Sequence, residues 1–111
     1  LETGIVTEID DDLFDEAVNR TPGTILVEFW ADWCRHCRAH LEILEQLAAE
    51  TNGDVRIVRV QIDRNEELPH RFGIRSVPTL LVFRNGRLAD QLIGAAPKEV
   101  IRNLIEGNGR S

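Results

Sequence analysis

The chain of 111 residues has two cysteines and no more, three positions apart. One close pair cannot build the cross-linked framework on which small secreted domains rely, and such cysteine usage suits a cytoplasmic protein. Aromatic residues are few, namely Phe14, Phe29, Phe72, Phe83, Trp30 and Trp33, so aliphatic side chains must supply the core. No apolar run approaches the roughly 20 residues a helix needs to cross a bilayer, and no membrane partner is expected. The N-terminus shows no basic region followed by an apolar segment and a small-residue cleavage site. Leu1 is not an initiator methionine, however, so a periplasmic or otherwise exported protein with its leader removed stands as the alternative. Positive charge is in deficit too, with 13 Lys and Arg against 19 Asp and Glu and a net charge of −6. Nucleic-acid binders show the opposite balance, so no nucleic-acid partner is expected. What remains is a single domain over residues 1–111, long enough for an ordinary core and expected as a monomer.

The cysteines lie in Trp33-Cys34-Arg35-His36-Cys37, after the apolar run Ile25-Leu26-Val27-Glu28-Phe29-Trp30-Ala31. That run reads as a buried strand, and residues 38–50 have helical periodicity. A C-x-x-C between a strand and a helix is the signal of a redox-active dithiol. Backbone N–H groups at a helix start carry partial positive charge, which favours thiolate at Cys34 and makes it the nucleophile. Cys37 lies about one turn further in, within reach of a mixed disulfide formed at Cys34.

Residues 5–9 read as a short first strand. Asp10, Asp11 and Asp12 offer N-cap chemistry to a helix reaching Asn19, with Leu13, Phe14, Ala17 and Val18 as its apolar face. A metal site at that acidic run is the lesser reading. Thr21-Pro22-Gly23 makes a turn before a strand over residues 24–30. In the long helix, Cys37, Leu41, Leu44 and Ala48 form one stripe toward the core, and Asn52-Gly53 ends it. Residues 55–62 alternate, with a break of phase near Ile57-Val58 that predicts a strand buried partly on both faces. A short helix over residues 65–72 stops at Gly73. Residues 77–83 form the next strand, Asn85-Gly86 supplies the positive φ angles of a tight hairpin, and residues 88–93 return antiparallel. Pro97 opens a last helix over residues 98–106, with Val100, Ile101, Leu104 and Ile105 inward, and residues 107–111 should fray. This order predicts an α/β domain with a central mixed β-sheet of about five strands flanked by four helices.

Val27-Glu28-Phe29-Trp30-Ala31-Asp32-Trp33-Cys34, Ile62-Asp63, Phe72-Gly73-Ile74-Arg75-Ser76-Val77-Pro78-Thr79 and Phe83-Arg84-Asn85-Gly86 follow one another along the chain. In these motifs the chain resembles the thioredoxin family, from about residue 5 to residue 106. The resemblance implies the thioredoxin fold and a thiol–disulfide oxidoreductase that exchanges a Cys34–Cys37 disulfide with protein disulfides. It implies no cofactor beyond that disulfide, no metal, and a thioredoxin reductase or another dithiol as electron donor. Cys34 is then the attacking thiol and Cys37 the resolving one. Pro78 aligns with the family's cis-proline, which exposes the backbone of Val77 to an extended substrate strand; a trans proline at a strand start is the alternative. Gly94 matches a glycine lining the substrate groove. Trp33 would cap the site as an apolar contact surface, whereas Trp30 packs.

Glu28 stands where the family has a buried aspartate behind the second cysteine, and would take the proton of Cys37 during resolution. The apolar strand around it also predicts burial; an exposed strand edge is the other reading. A carboxylate buried alone costs stability, so Glu28→Ala should stabilise the fold, unless Arg59, where the family often has lysine, pairs with it.

Three positions depart from the family pattern. Arg35-His36 replaces the usual Gly-Pro, Glu28 is one methylene longer than aspartate, and Glu42 replaces a helix-kinking proline, so that helix should run straighter. Arg35 and His36 add positive charge beside Cys34, favour the reduced form, and predict a more oxidising site by on the order of 50 mV. A histidine just before the second cysteine resembles protein disulfide isomerase and the bacterial periplasmic oxidase, so reductase and oxidase or isomerase both stand. Two further classes compete: a non-catalytic binding or chaperone module on the same fold, and a metal site using Cys34, Cys37 and His36 or His40. The latter needs a fourth ligand, which a symmetric dimer would supply. His70, beside Pro69, reads as a surface or packing residue.

Overall fold

The apolar run Thr24–Trp30 forms β2, the central strand of a five-stranded sheet in the computed structural model, which describes residues 4–51 and 53–107. On one side β2 pairs in parallel with β3 (Val55–Gln61), and β1 (Val6–Glu8) runs parallel along the outer edge of β3. On the other side β2 pairs antiparallel with β4 (Thr79–Arg84), which turns back into β5 (Arg87–Ile93). The spatial order is β1-β3-β2-β4-β5. Four helices complete the described residues: α1 (Asp11–Phe14), continued by a π-helical turn over Asp15–Asn19, α2 (Arg35–Glu50), α3 (Glu67–Arg71) and α4 (Lys98–Glu106). This is the mixed sheet with four helices that the order of patterns predicts.

Side chains alternate along β2, so its two faces enter two different cores. Ile25, Val27 and Phe29 pack with Phe14, Val18 and Leu68, whereas Leu26 packs with Leu44, Leu47, Ile101 and Ile105 of α2 and α4. Glu28 follows Leu26 by two and therefore points toward the α2 and α4 side. Burial on both faces leaves no solvent side for β2, which explains why its sequence is apolar on both sides of Glu28.

The acidic run is used twice for capping. Asp10 accepts the Leu13 N–H at 3.1 Å, and the Asp11 carboxylate accepts the N–H groups of Glu67 and Leu68 across 56 and 57 residues. Asn85 (φ 52°) and Gly86 (φ 84°) form the hairpin turn as predicted. Only glycine fits at residue 86, because a Cβ there would collide with the Asn19 carbonyl oxygen.

Several inward assignments fail for geometric reasons. Leu13 is half exposed, because α1 lasts four residues before the π-helical turn, which carries the i to i+4 stripe through Phe14 and Val18. Val100 is exposed beside the buried pair Ile101 and Ile105, and Leu41 is only half-buried. The core stripe of α2 consists of Cys37, His40, Leu44, Leu47 and Ala48. Glu42 is exposed on an α2 that runs unbroken from Arg35 to Glu50. Asn52 and the tail at 108–111, for which a helix stop and fraying are predicted, lie outside the described residues.

Candidate active site

At the end of β2 the chain turns through residues 31–33 and delivers Cys34 to the N-cap of α2. Cys34 N–H donates to the Ala31 carbonyl at 3.1 Å, and Cys34 Sγ accepts the N–H of Cys37 at 3.2 Å. The two cysteines are joined by a disulfide, with Cα atoms 5.3 Å apart. Cys37 is fully enclosed, while Cys34 keeps 5% of its surface in contact with solvent. Helix-start N–H groups have no carbonyl partner within the helix, so they favour negative charge on Cys34 once the disulfide is reduced. Arg35 and His36 are exposed on the first turn, and Trp33, next to Cys34, is 70% exposed.

The Val77–Pro78 peptide is cis, and Val77 packs against the cysteine pair together with Ile62 and Trp30. Pro78 is buried, and its carbonyl accepts the N–H of Gly94 at 2.9 Å. The structure thus sets Val77 against the cysteine pair and links Gly94 to the adjoining Pro78. Ile93, the residue before Gly94, is 65% exposed.

Behind the disulfide lies a charged cluster. Glu28 on β2 is fully buried and stands opposite Arg59 on β3 in the sheet register. Its Oε1 accepts the Arg59 Nε–H at 2.8 Å, and its Oε2 lies 2.9 Å from His40 Nδ1. Arg59 also donates from Nη2 to the Cys37 carbonyl at 3.4 Å, and its guanidinium lies 4.1 Å from the centroid of the Trp30 ring. On the other side of the imidazole, Nε2 accepts the N–H of Ala96 at 3.0 Å. A ring nitrogen that accepts carries no proton, so Nδ1 carries it and donates to Glu28.

Two expectations change here. Glu28 is neither edge-exposed nor alone, since both its oxygens are bonded, so its removal should destabilise the fold. His40, considered from sequence only as a metal ligand, has both nitrogens engaged inside the protein. Its place three residues after Cys37 and four before Leu44 on one helical face is the signal that marks it as inward. Among the described residues no group of three or more His, Cys, Asp and Glu is placed to hold a metal ion.

Trp30 Nε1–H donates to both carboxylate oxygens of Glu8, at 3.0 and 3.1 Å. Partial burial nevertheless pushes the Glu8 carboxyl above the usual carboxylate range, against the Trp30 hydrogen bond and the Arg59 charge. A cleft of about 360 Å³ opens beside this cluster, lined by Trp30, Ala31, Asp32, Arg38, Leu41 and Arg59. A larger cleft, about 540 Å³, lies at the opposite end of β2 around Thr24, Glu50, Arg84 and Arg102, away from the cysteines.

The thioredoxin family model matches residues 5–107. The thioredoxin of Haemophilus influenzae is 40% identical over 100 residues, which cover 90% of this chain and 94% of that protein. The thioredoxin of Rickettsia bellii is 34% identical over 104 residues, 94% of this chain and 99% of that one. A mutant thioredoxin from Halobacterium salinarum superposes with a TM-score of 0.87 at 26% identity, covering 96% of this chain and 93% of that chain. Fold alone would leave the chemistry open, but the family match spans the cysteine pair: the chain belongs to the thioredoxin family and is a protein-disulfide oxidoreductase that works through its Cys34–Cys37 disulfide.

Proposed function

We propose that this oxidoreductase reduces protein disulfides, with Cys34 attacking and Cys37 resolving. The observation that carries the assignment is the position of Cys34 at the N-cap of α2, its sulfur accepting the Cys37 N–H while Cys37 is fully enclosed. In the reduced protein the Cys34 thiolate attacks one sulfur of the substrate. A Cys34–substrate disulfide forms, and the second substrate sulfur leaves as a thiolate that takes up a proton. Cys37, deprotonated, then attacks Cys34 Sγ, which closes the Cys34–Cys37 disulfide and releases the first substrate sulfur. Two electrons have passed to the substrate, and a reductase-type dithiol donor restores them. Glu28 keeps a lone pair free on each oxygen and takes up the proton of Cys37, held in place by Arg59 and His40.

Trp33, Val77, Pro78 and Gly94 form the groove for an extended protein segment. A cytoplasmic monomer suits this direction of electron flow. Arg35 and His36 favour the reduced form, but both are exposed and therefore screened. At about 0.5 kcal/mol each they raise the potential by roughly 20 mV together, less than the sequence alone suggests.

Reduction of insulin by dithiothreitol tests the reading. The protein should accelerate precipitation of the freed insulin B chain, and Cys34→Ser should abolish the acceleration. No acceleration by the wild type would overturn it. His36 favours a second reading, net oxidation, in which the protein would reoxidise reduced ribonuclease faster than it reduces insulin.

A further inference from the structure

We propose that His40 is a positioning residue for protein substrates, anchoring the 94–97 loop that walls the substrate groove to the buried Glu28–Arg59 pair. The loop reads Gly94-Ala95-Ala96-Pro97. None of these residues has a polar side chain, and Pro97 has no N–H, so beside the packing of Ala96 against the core of α2 and α4 the directional anchoring of the loop falls to backbone hydrogen bonds. Two are at hand: Gly94 N–H to the Pro78 carbonyl at 2.9 Å, and Ala96 N–H to His40 Nε2 at 3.0 Å. The first ties the loop to the cis-proline. The second ties it to a side chain that starts one turn beyond Cys37 on α2. Pro97, the N-cap of α4, makes no side-chain cap bond that would do the same work.

His40 suits this role because it cannot turn away. It is 2% exposed, its Nδ1–H is spent on Glu28 Oε2, and Glu28 is in turn held by Arg59. Rotating the ring would take this partner from the buried Glu28 Oε2 and from the half-buried Ala96 N–H. One tautomer satisfies both sides, with the proton on Nδ1 and a lone pair on Nε2 toward Ala96. A protonated ring would face the Ala96 N–H with a second donor, and the anchor would be lost.

The inference rests on the reading of Gly94 as part of the groove, and it separates two substrate classes. An extended protein segment lies against the 94–97 loop, whereas a small disulfide meets only the sulfur of Cys34. Loosening the loop should therefore raise KM for proteins and leave the exchange step itself unchanged.

The test compares wild type, His40→Leu and His40→Gln on insulin and on hydroxyethyl disulfide. His40→Leu should raise KM for insulin about tenfold, the scale of one donor left without its acceptor. Freeing Glu28 slows both substrates alike, so the readout is the ratio of insulin to hydroxyethyl disulfide turnover, which should fall about tenfold. KM for hydroxyethyl disulfide should stay within about twofold of wild type, because no groove contact is at stake. His40→Gln, neutral with an amide NH2 to donate and a carbonyl oxygen to accept, should recover most of the insulin KM. An ester in place of the Ala95–Ala96 amide, introduced by semisynthesis, deletes the donor and adds no atom beside His40, and should repeat the KM effect even where His40→Leu folds poorly. An unchanged insulin KM in both His40→Leu and the Ala96 ester would overturn the proposal, as would an equal rise of KM on both substrates. A wild type that exchanges with hydroxyethyl disulfide but not with insulin would instead overturn the groove reading, and the proposal with it.

Discussion

Replacing Glu28 by glutamine nearly preserves the shape of the side chain and removes its charge from a fully buried position. Arg59, itself 6% exposed, would keep its guanidinium but lose the carboxylate 2.8 Å away. Breaking one partner out of a buried ion pair costs about 3–5 kcal/mol, because the remaining charge is left uncompensated. In a domain of this size each kcal/mol moves the melting temperature by roughly 4 °C, so Glu28→Gln should lower it by about 12–20 °C. In urea, with a slope of about 2 kcal/mol per molar, the midpoint should fall by about 1.5–2.5 M. Equilibrium urea denaturation of the oxidised protein, followed by tryptophan fluorescence, reads the change. The double substitution Glu28→Leu with Arg59→Met removes both charges and should recover most of the loss. A Glu28→Gln midpoint equal to or above that of the wild type would refute the reasoning, since Arg59 would then find its counter-charge elsewhere.

Arg35→Gly combined with His36→Pro should lower the Cys34–Cys37 potential by roughly 20 mV in a glutathione titration; a change of the opposite sign would remove the dipeptide from redox tuning. Glu50, bonded to Lys98 and Arg102, is held below its ordinary value near 4.5, first by the Lys98 hydrogen bond and then by that of Arg102. Its folded form therefore binds a proton less readily than the unfolded chain. The stability it contributes is present above about pH 4.5 and lost as pH falls below it. Glu50→Gln should flatten the fall of the urea midpoint between about pH 5 and pH 3, and an identical slope in the variant would contradict the pairing.

The elements legible in sequence are those whose signals are local. Strand β2 and helix α4 match their predicted bounds to the residue, since an apolar run and a Pro-initiated amphipathic stretch need no distant information. The hairpin at Asn85-Gly86 is equally local, fixed by two positive φ angles. Helix α3 is shorter than predicted because Asn65 is drawn out of it: its side chain accepts the Asp11 N–H and donates to the Gln61 carbonyl. The cis bond at Pro78 and the pairing of Glu28 with Arg59 come from the family resemblance, not from composition. His40 is the residue that could not be read, because its partners lie 12 residues before it and 56 after it. Helical spacing marks it as inward; only the packing of α2 against β2 and the 94–97 loop says what it meets there.

Trapping of the mixed disulfide tests the division of labour between the two cysteines most directly. Reduced Cys37→Ser and Cys34→Ser proteins are incubated with insulin, quenched in acid and analysed by intact mass and peptide mapping. The account predicts a stable adduct joining an insulin chain to Cys34 in the Cys37→Ser protein and none in the Cys34→Ser protein, because Cys37 is fully enclosed. An adduct at Cys37 in the Cys34→Ser protein, with none at Cys34, would reverse the assignment and contradict the account.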